Sequence, residues 1–375
     1  MAVRHDGIVV LPAATDPASC RQHFAAFAAS TATWAPTYSR LSGIVAADPE
    51  LAGHLLLAPP TQRLPVLLFA CVHHLLLDEP EHPLAAWYPN LVVGTPRTDD
   101  PAPALRQLCA ERRDELAALL ATRRTQTNEV GRSALFVPVF GLLADEIGPL
   151  AHLDVGTSAG LTLLLDRFHY TYEPGGTLGT PGPIRLTCGT RGAVPIPTEM
   201  PDAAAHVGLD EAPIDVGDDD AVRWLQACVW PDQADRFHRL RAAVDLARSV
   251  GVDVRRGDAV TTTPHLVDEL AAVGHPVLTS SFVLTYLTSG ARRAFLAVLD
   301  DLAAERDLTW VFVEIPAAVP ELPVLDAASD QTALVIVRWR SGQRRAQHLA
   351  EVHPHGYWIH WNRQEIARQG GAGLV

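Results

Sequence analysis

The sequence predicts an α/β fold preceded by an all-helical region, and three observations carry that reading. Across residues 18–150, apolar residues recur at helical spacing, through CRQHFAAFAAS, PTQRLPVLLFACVHHLLL and PALRQLCAERRDELAALLATR. From residue 150 the pattern changes: short apolar runs bounded by turns alternate with long amphipathic stretches, the signature of a parallel sheet with crossover helices. At the end, QTALVIVRWRSG and YWIHWN are strand-like, with the turn signal Ser341-Gly342 after the first and no long helix between them. They predict an antiparallel pair at the sheet edge.

Pro-rich links at 80–89 and 96–103 separate the helices of the first part. The strands of the second part are, in order, AHLDV, AAHVGLD, GVDVRRGD, HPVLTSS and TWVFVEIP. The helices between them include DDAVRWLQACVW, DQADRFHRLRAAVDLARSVG and SGARRAFLAVLDDLAAERD. Residues 167–205 are rich in Gly, Pro and Thr and read as an insertion before the second strand. The expected organisation is a helical region or lid over 1–125 and an α/β domain over 126–375.

Composition narrows the function. The chain has 375 residues, 43 acidic and 30 basic side chains and a formal net charge of −13. Every basic residue is arginine, so Schiff-base chemistry, a pyridoxal phosphate lysine and a lysine-bearing phosphate loop are all excluded. An acidic chain without a basic run makes a poor partner for phosphate backbones, so no nucleic-acid partner is expected. The longest apolar stretch, 64–77, is too short to cross a bilayer, and no membrane partner is expected. Five scattered cysteines with no C-x-x-C spacing, and no secretion signal, point to a reducing cytoplasm.

The most informative stretch is His152-Leu-Asp-Val-Gly-Thr-Ser-Ala-Gly-Leu161. An apolar strand ends in Asp154. A loop of small residues comes next, with Gly156, Thr157, Ser158 and Gly160, and then a helix is expected to start, LTLLLDRF. Small residues let a backbone approach a ligand closely, and a helix start presents free amides. The same letters, Gly156-Thr-Ser158-Ala-Gly160, are a literal G-x-S-x-G, which would place Ser158 on a nucleophile elbow. An elbow of that kind needs several strands and an oxyanion loop before it, and the upstream sequence reads as helices. A glycine-bearing turn after a first strand is also common in α/β proteins of any function.

The pattern D-x-G-x-x-x-G resembles the first motif of class I methyltransferases, with Ser158 where the middle glycine is usual. Further segments resemble later elements of that fold in the right order. Ala205-His-Val-Gly-Leu-Asp210-Glu-Ala-Pro213 is similar to the second-strand element whose acid meets the ribose hydroxyls. Gly257-Asp258-Ala259 is similar to the third-strand end whose acid contacts the adenine amino group, and the fourth strand ends at Ser280-Ser281 beside the reaction site. The combination of Gln126-Thr-Asn-Glu129-Val-Gly-Arg132, Asp166-Arg167-x-x-Tyr170, Val229-Trp230-Pro231-Asp232-Gln233 and Ser281-x-Val-Leu-x-Tyr286-Leu also resembles a largely uncharacterised actinobacterial family of unknown function. This chain departs from it at Cys188-Gly189, where an acid often follows the cysteine.

The resemblance implies a Rossmann-like, seven-stranded methyltransferase sheet, mostly parallel with an antiparallel C-terminal hairpin. It implies S-adenosylmethionine as cofactor, held by Asp154, Gly156, Thr157, Ser158, Gly160, Asp210, Asp258, Ala259 and Ser280, with Arg132 on the carboxylate. The expected reaction is in-line transfer of the methyl group to an O or N nucleophile of a small-molecule acceptor. Asp232 and Tyr170 are the candidate catalytic residues. Each has a plainer reading: Asp232 as a first-turn acid after Pro231, Tyr170 as packing. Arg132 likewise sits where Thr127 or Asn128 would cap a helix. No metal is expected, because His353-x-His355-x4-His360 fits strand alternation. Two alternatives stay open: a serine hydrolase using Ser158, and a non-catalytic binding module on the same fold.

Overall fold

A computed structural model describes residues 13–366. The chain divides into two compact units, one running up to Thr127 and including Gly217–Arg241, the other taking Asn128–Val216 and the chain from Ala242 onward.

The first unit is helical. Its helices are α1 (Pro17–Thr31), α2 (Pro36–Ala47), α3 (Pro49–Gly53), α4 (Pro65–Asp78), α5 (Ala102–Glu111) and α6 (Arg113–Thr122), joined from later in the chain by α8 (Asp219–Ala227). The first four each open on a proline, whose missing N–H costs nothing in a first turn. Asp16 caps α1 by accepting the Ser19 N–H at 2.8 Å, and Asp48 caps α3 through the Glu50 and Leu51 N–H groups. The apolar stretch 64–77 is α4, hydrophobic on all sides because it is the unit's central helix. Its His73 tolerates burial because both ring nitrogens are bonded. Nδ1 donates to Ala227 O at 3.1 Å, so Nε2 accepts from Asn90 Nδ2 at 2.9 Å. No helix among the described residues is long and apolar enough to cross a membrane.

The second unit is built on one sheet of eleven strands. They are β1 (Leu150–Val155), β2 (His169–Glu173), β3 (Gly176–Leu178), β4 (Arg185–Arg191), β5 (Ala203–Asp210), β6 (Val254–Arg256), β7 (His275–Ser281), β8 (Leu308–Glu314), β9 (Ala333–Arg340), β10 (Gln343–Val352) and β11 (Trp358–Ile366). Their order is β3-β2-β4-β11-β10-β9-β8-β7-β1-β5-β6. The five strands β6-β5-β1-β7-β8 are mutually parallel. The chain runs outward from β1 to β5 and β6, then returns to β7 and β8 on the other side. A topological switch point therefore lies between β1 and β7. Helix α7 (Ser133–Ile147) precedes the sheet, while α10 (Ala259–Ala271) and α11 (Ser289–Leu302) carry the returns to β7 and β8. Helix α9 (Ala234–Val250) leads from the first unit into the second.

The expectation of seven strands needs two corrections. The segment 167–205 lies between β1 and its parallel neighbour β5, as an insertion would, but it adds strands to the sheet: it forms β2, β3 and β4, and β4 pairs in parallel with β11. The antiparallel end has three strands, not two, and is internal to the sheet. β9 and β10 form a hairpin at Ser341-Gly342, where both residues have positive φ, 51° and 72°. That geometry matches the twist of the flanking strands. β10, QRRAQHLAEV, escaped notice because its outward positions are mostly polar. A third correction concerns LTLLLDRF. The turns after the glycine loop are 3-10, Leu161–Arg167, broken at Leu164, and the chain then enters β2 without a long crossover helix.

Alternation in β1 gives its two faces different surroundings. Ala151, Leu153 and Val155 face the core shared with Leu266 and Leu270 of α10 and Phe295 and Leu299 of α11. His152 and Asp154 face the opposite layer, where Phe140 of α7 packs edge-on against His152 at 5.0 Å.

Candidate functional site at the carboxyl ends of the parallel strands

The loop after β1 turns on three residues with positive φ: Gly156 at 77°, Ser158 at 57° and Gly160 at 72°. For Ser158 this left-handed conformation is costly, and it falls where the resembling motif has glycine. The loop is tied to the end of β5. Gly156 N–H and Thr157 N–H donate to Leu209 O at 2.7 and 3.3 Å, and Ser158 N–H donates to Asp210 Oδ2 at 2.8 Å. Asn128 Nδ2 donates to Thr157 O at 3.1 Å. Close packing explains the glycines. A Cβ on Gly156 would meet Val283 Cγ2 at 2.2 Å, and one on Gly208 would meet Thr157 Cγ2 at 2.5 Å.

The three predicted acids end three adjacent strands. Asp154 is buried, and its carboxylate accepts from the Thr279 hydroxyl at 2.7 Å and from the Thr162 hydroxyl. Burial pushes its carboxyl above the usual range, opposed by those two hydroxyls. Asp210 accepts Ser158 N–H on one oxygen and Ala212 N–H, also at 2.8 Å, on the other. Its backbone oxygen accepts Gly257 N–H at 2.9 Å, which joins β5 to the turn carrying Asp258. Asp258 caps α10 through the Val260 and Thr261 N–H groups at 3.0 and 2.9 Å, and Ala259 is the first residue of that helix. Thus Asp154, Gly156, Thr157, Ser158, Gly160, Asp210, Asp258 and Ala259 gather along one rim.

Other predicted residues go elsewhere. Ser280 follows Thr279 and so faces the other side of β7, where its hydroxyl accepts Trp310 Nε1–H at 3.1 Å. Arg132 belongs to a 3-10 turn, Val130–Arg132. Its Nε donates to Pro354 O at 2.8 Å and its Nη1 reaches Ser281 O and Oγ at 3.3 Å, while the guanidinium stacks on Phe282 at 4.5 Å. Tyr170 is buried in β2 and donates to Leu165 O at 2.6 Å. Asp232 lies in the helical unit and accepts Thr37 N–H at 3.1 Å and Thr37 Oγ1–H at 2.7 Å, at the start of α2. Trp230 stacks on Trp34 at 4.6 Å. His353, His355 and His360 do not converge: His353 Nδ1 accepts His355 N–H, His355 Nδ1 meets Glu129 at 3.2 Å, and His360 lies 3.8 Å from Glu351. No group of three or more His, Cys, Asp or Glu side chains among the described residues is placed to hold a metal ion.

Two features escaped sequence reasoning. Glu314 ends β8 fully buried, with Oε1 accepting Val283 and Leu284 N–H at 2.8 and 2.7 Å. Burial raises its carboxyl to about 7. The signal was an acid closing the otherwise apolar run TWVFVE before a proline. The second is a buried chain of polar groups behind Asp154. His152 Nε2 lies 2.7 Å from Thr279 Oγ1, and His152 Nδ1 lies 3.1 Å from His206 Nδ1.

Fold and site together define a protein of two units whose α/β part carries a glycine loop at the switch point of the parallel strands in an eleven-stranded sheet. The chain belongs to the family described as uncharacterized proteins conserved in bacteria (DUF2332), whose model matches residues 21–361 and so draws on both units. No curated protein matches the chain.

Proposed function

We propose that the α/β unit binds S-adenosylmethionine along the carboxyl ends of β1, β5 and β6 and transfers its methyl group to an O or N nucleophile of a small molecule. The observation that carries the reading is the row of Asp154, Asp210 and Asp258 on three adjacent parallel strand ends, with the Gly156–Gly160 loop beside the first. Carboxylates at those places suit a sulfonium cation, a ribose diol and an adenine amino group in turn. Asp210 accepts one bond on each oxygen, and a carboxylate oxygen has room for a second. The sulfonium supplies an already activated methyl group, so the chain's task is to bind and orient cofactor and acceptor in line.

Ser158 bears on the hydrolase alternative. Its Oγ is buried, and among the described residues it has no hydrogen-bond partner. A serine nucleophile requires a base within reach of that oxygen. The discriminating experiment is calorimetry of the purified protein with S-adenosylmethionine and S-adenosylhomocysteine. Micromolar binding, about −8 kcal/mol, is expected. A folded protein that binds neither compound overturns the proposal, and fluorophosphonate labelling that disappears in Ser158→Ala would establish the hydrolase instead. Cofactor binding without turnover on any acceptor would identify a binding module.

A further inference from the structure

Asp154, Thr279, His152 and His206 form one hydrogen-bonded chain across β7, β1 and β5. Register makes it: His152 lies beside His206 on one neighbour and Asp154 beside Thr279 on the other. The contact between the two Nδ1 atoms at 3.1 Å requires one of them to be bare, and burial, which lowers the proton affinity of both imidazoles, favours rings with a single proton. At the outer end His206 Nε2 is buried with no hydrogen-bond partner among the described residues, and the carboxylates of Asp166 and Asp202 and the guanidinium of Arg167 act on that ring. Against the inner end lie Thr162, Thr157 and, on β5, Asp210.

When the oxygen of Asp154 that faces Thr279 is the one that gains or loses the proton, the chain has two arrangements in which every bond is made. In the first, Asp154 is ionised. Thr279 then donates to it, His152 Nε2–H donates to Thr279, and His206 Nδ1–H donates to His152 Nδ1, leaving His206 Nε2 bare. In the second, Asp154 is protonated and donates to Thr279. Thr279 donates to His152 Nε2, His152 Nδ1–H donates to His206 Nδ1, and His206 carries its proton on Nε2. The two differ by one proton and every bond reverses. Going from second to first, the Asp154 proton passes to Thr279, the Thr279 proton to His152 Nε2 and the His152 Nδ1 proton to His206 Nδ1. The His206 Nε2 proton leaves to solvent, and the only change of charge is the new carboxylate.

We infer that this chain is a two-state proton store that reads the charge of whatever occupies the loop beside Asp154, favouring a cationic sulfonium over its neutral thioether product. The storage itself is a property of the free protein; the selectivity rests on the proposed cofactor. A cation beside Asp154 stabilises the ionised arrangement and expels one proton, whereas a neutral sulfur does not. The chain thus acts as a positioning and specificity device, and its histidines touch neither cofactor nor acceptor.

The test begins on the free protein, by nitrogen-15 NMR of the imidazole rings between pH 5 and 9. The expected result is a concerted exchange: His206 moves from the Nε2–H to the Nδ1–H form as His152 moves from Nδ1–H to Nε2–H, at one midpoint. Thr279→Val, nearly the same shape without the hydroxyl, should break the link, so that the rings no longer exchange together. Rings that keep fixed and unrelated tautomers in the wild type would overturn the inference, whatever the cofactor does. Binding of S-adenosylmethionine should then weaken about tenfold per pH unit below that midpoint, one proton being exchanged, while S-adenosylhomocysteine affinity stays level. Equal pH dependence of the two ligands would overturn the charge-reading. Failure of both ligands to bind would remove the proposed cofactor while leaving the NMR result standing.

Discussion

At Ser158 the backbone asks for glycine and receives serine. A positive φ of 57° at a residue with a Cβ stores strain, which places like this hold only when the surroundings impose it. Ser158→Gly should therefore stabilise the protein by up to about 1 kcal/mol, read as a higher urea midpoint at unchanged slope. Cofactor affinity should survive that change, since the residue's bond to Asp210 is made by its N–H. Glu314 makes a second residue-level prediction. Its carboxyl rises from 4.5 to about 7 in the folded protein, so the folded state binds the proton more tightly than the unfolded one. The resulting stability is fully present below pH 4.5 and is lost as pH rises through 7. Glu314→Gln keeps an oxygen for the Val283 and Leu284 N–H groups and cannot titrate. Between pH 5 and 8 the wild type should lose stability to denaturant and the variant should lose distinctly less. Parallel pH curves would show that Glu314 does not titrate in this range. Asp154 was legible in the sequence because an apolar strand, an acid and a glycine loop are consecutive letters. The pairing of His152 with His206 was not, because it depends on register between strands 54 residues apart.

Elements were legible where their period was clean. β1, β5, β7 and β8 are short, apolar and bounded by turns, and each lies where its run placed it. β2 was lost inside a Gly- and Pro-rich segment, although HYTYE alternates and turns Tyr170 and Tyr172 inward. The 3-10 turns of Leu161–Arg167 carry leucines at spacing that a helix would also show, and propensity alone does not separate the two. The glycine loop itself makes the sharpest prediction at this scale. Gly156 accommodates Val283, whose two methyl carbons lie 2.2 and 2.6 Å from where a Cβ would be. Gly156→Ala should destabilise by more than the about 1 kcal/mol that the positive φ alone costs, because the valine must move. Adding Val283→Ala should relieve the larger part of the clash, leaving the contact with the Cβ of residue 283 at 2.9 Å and the strain of the positive φ, so a double-mutant cycle of urea unfolding will show favourable coupling between the two changes. Strict additivity would mean that the Phe282–Val283 turn yields freely.

At the scale of the molecule, the helical unit is assembled from two pieces of chain. Residues 217–241 return to it after the sheet has begun, and no periodicity in the sequence announces the return. The fit is chemical. Trp224 enters the helical core and donates from Nε1 to Arg124 O at 2.9 Å. Asp220 pairs with Arg123 and with His74 at 3.3 Å, and Arg223 meets Asp78 at 2.8 Å. Trp230 stacks on Trp34, and Asp232 closes the start of α2 through Thr37. Exposed ion pairs among these add little, but a buried tryptophan contributes several kcal/mol, roughly 3–5 by truncation, to a unit of this size. A polypeptide ending at Thr127 would leave that core open and α2 without its cap. It should show helical circular dichroism without a cooperative thermal transition, and a synthetic peptide of residues 217–241 added to it should restore one. A sharp transition in the shorter polypeptide alone would mean that the first six helices close their own core and that the returning segment is carried as a passenger.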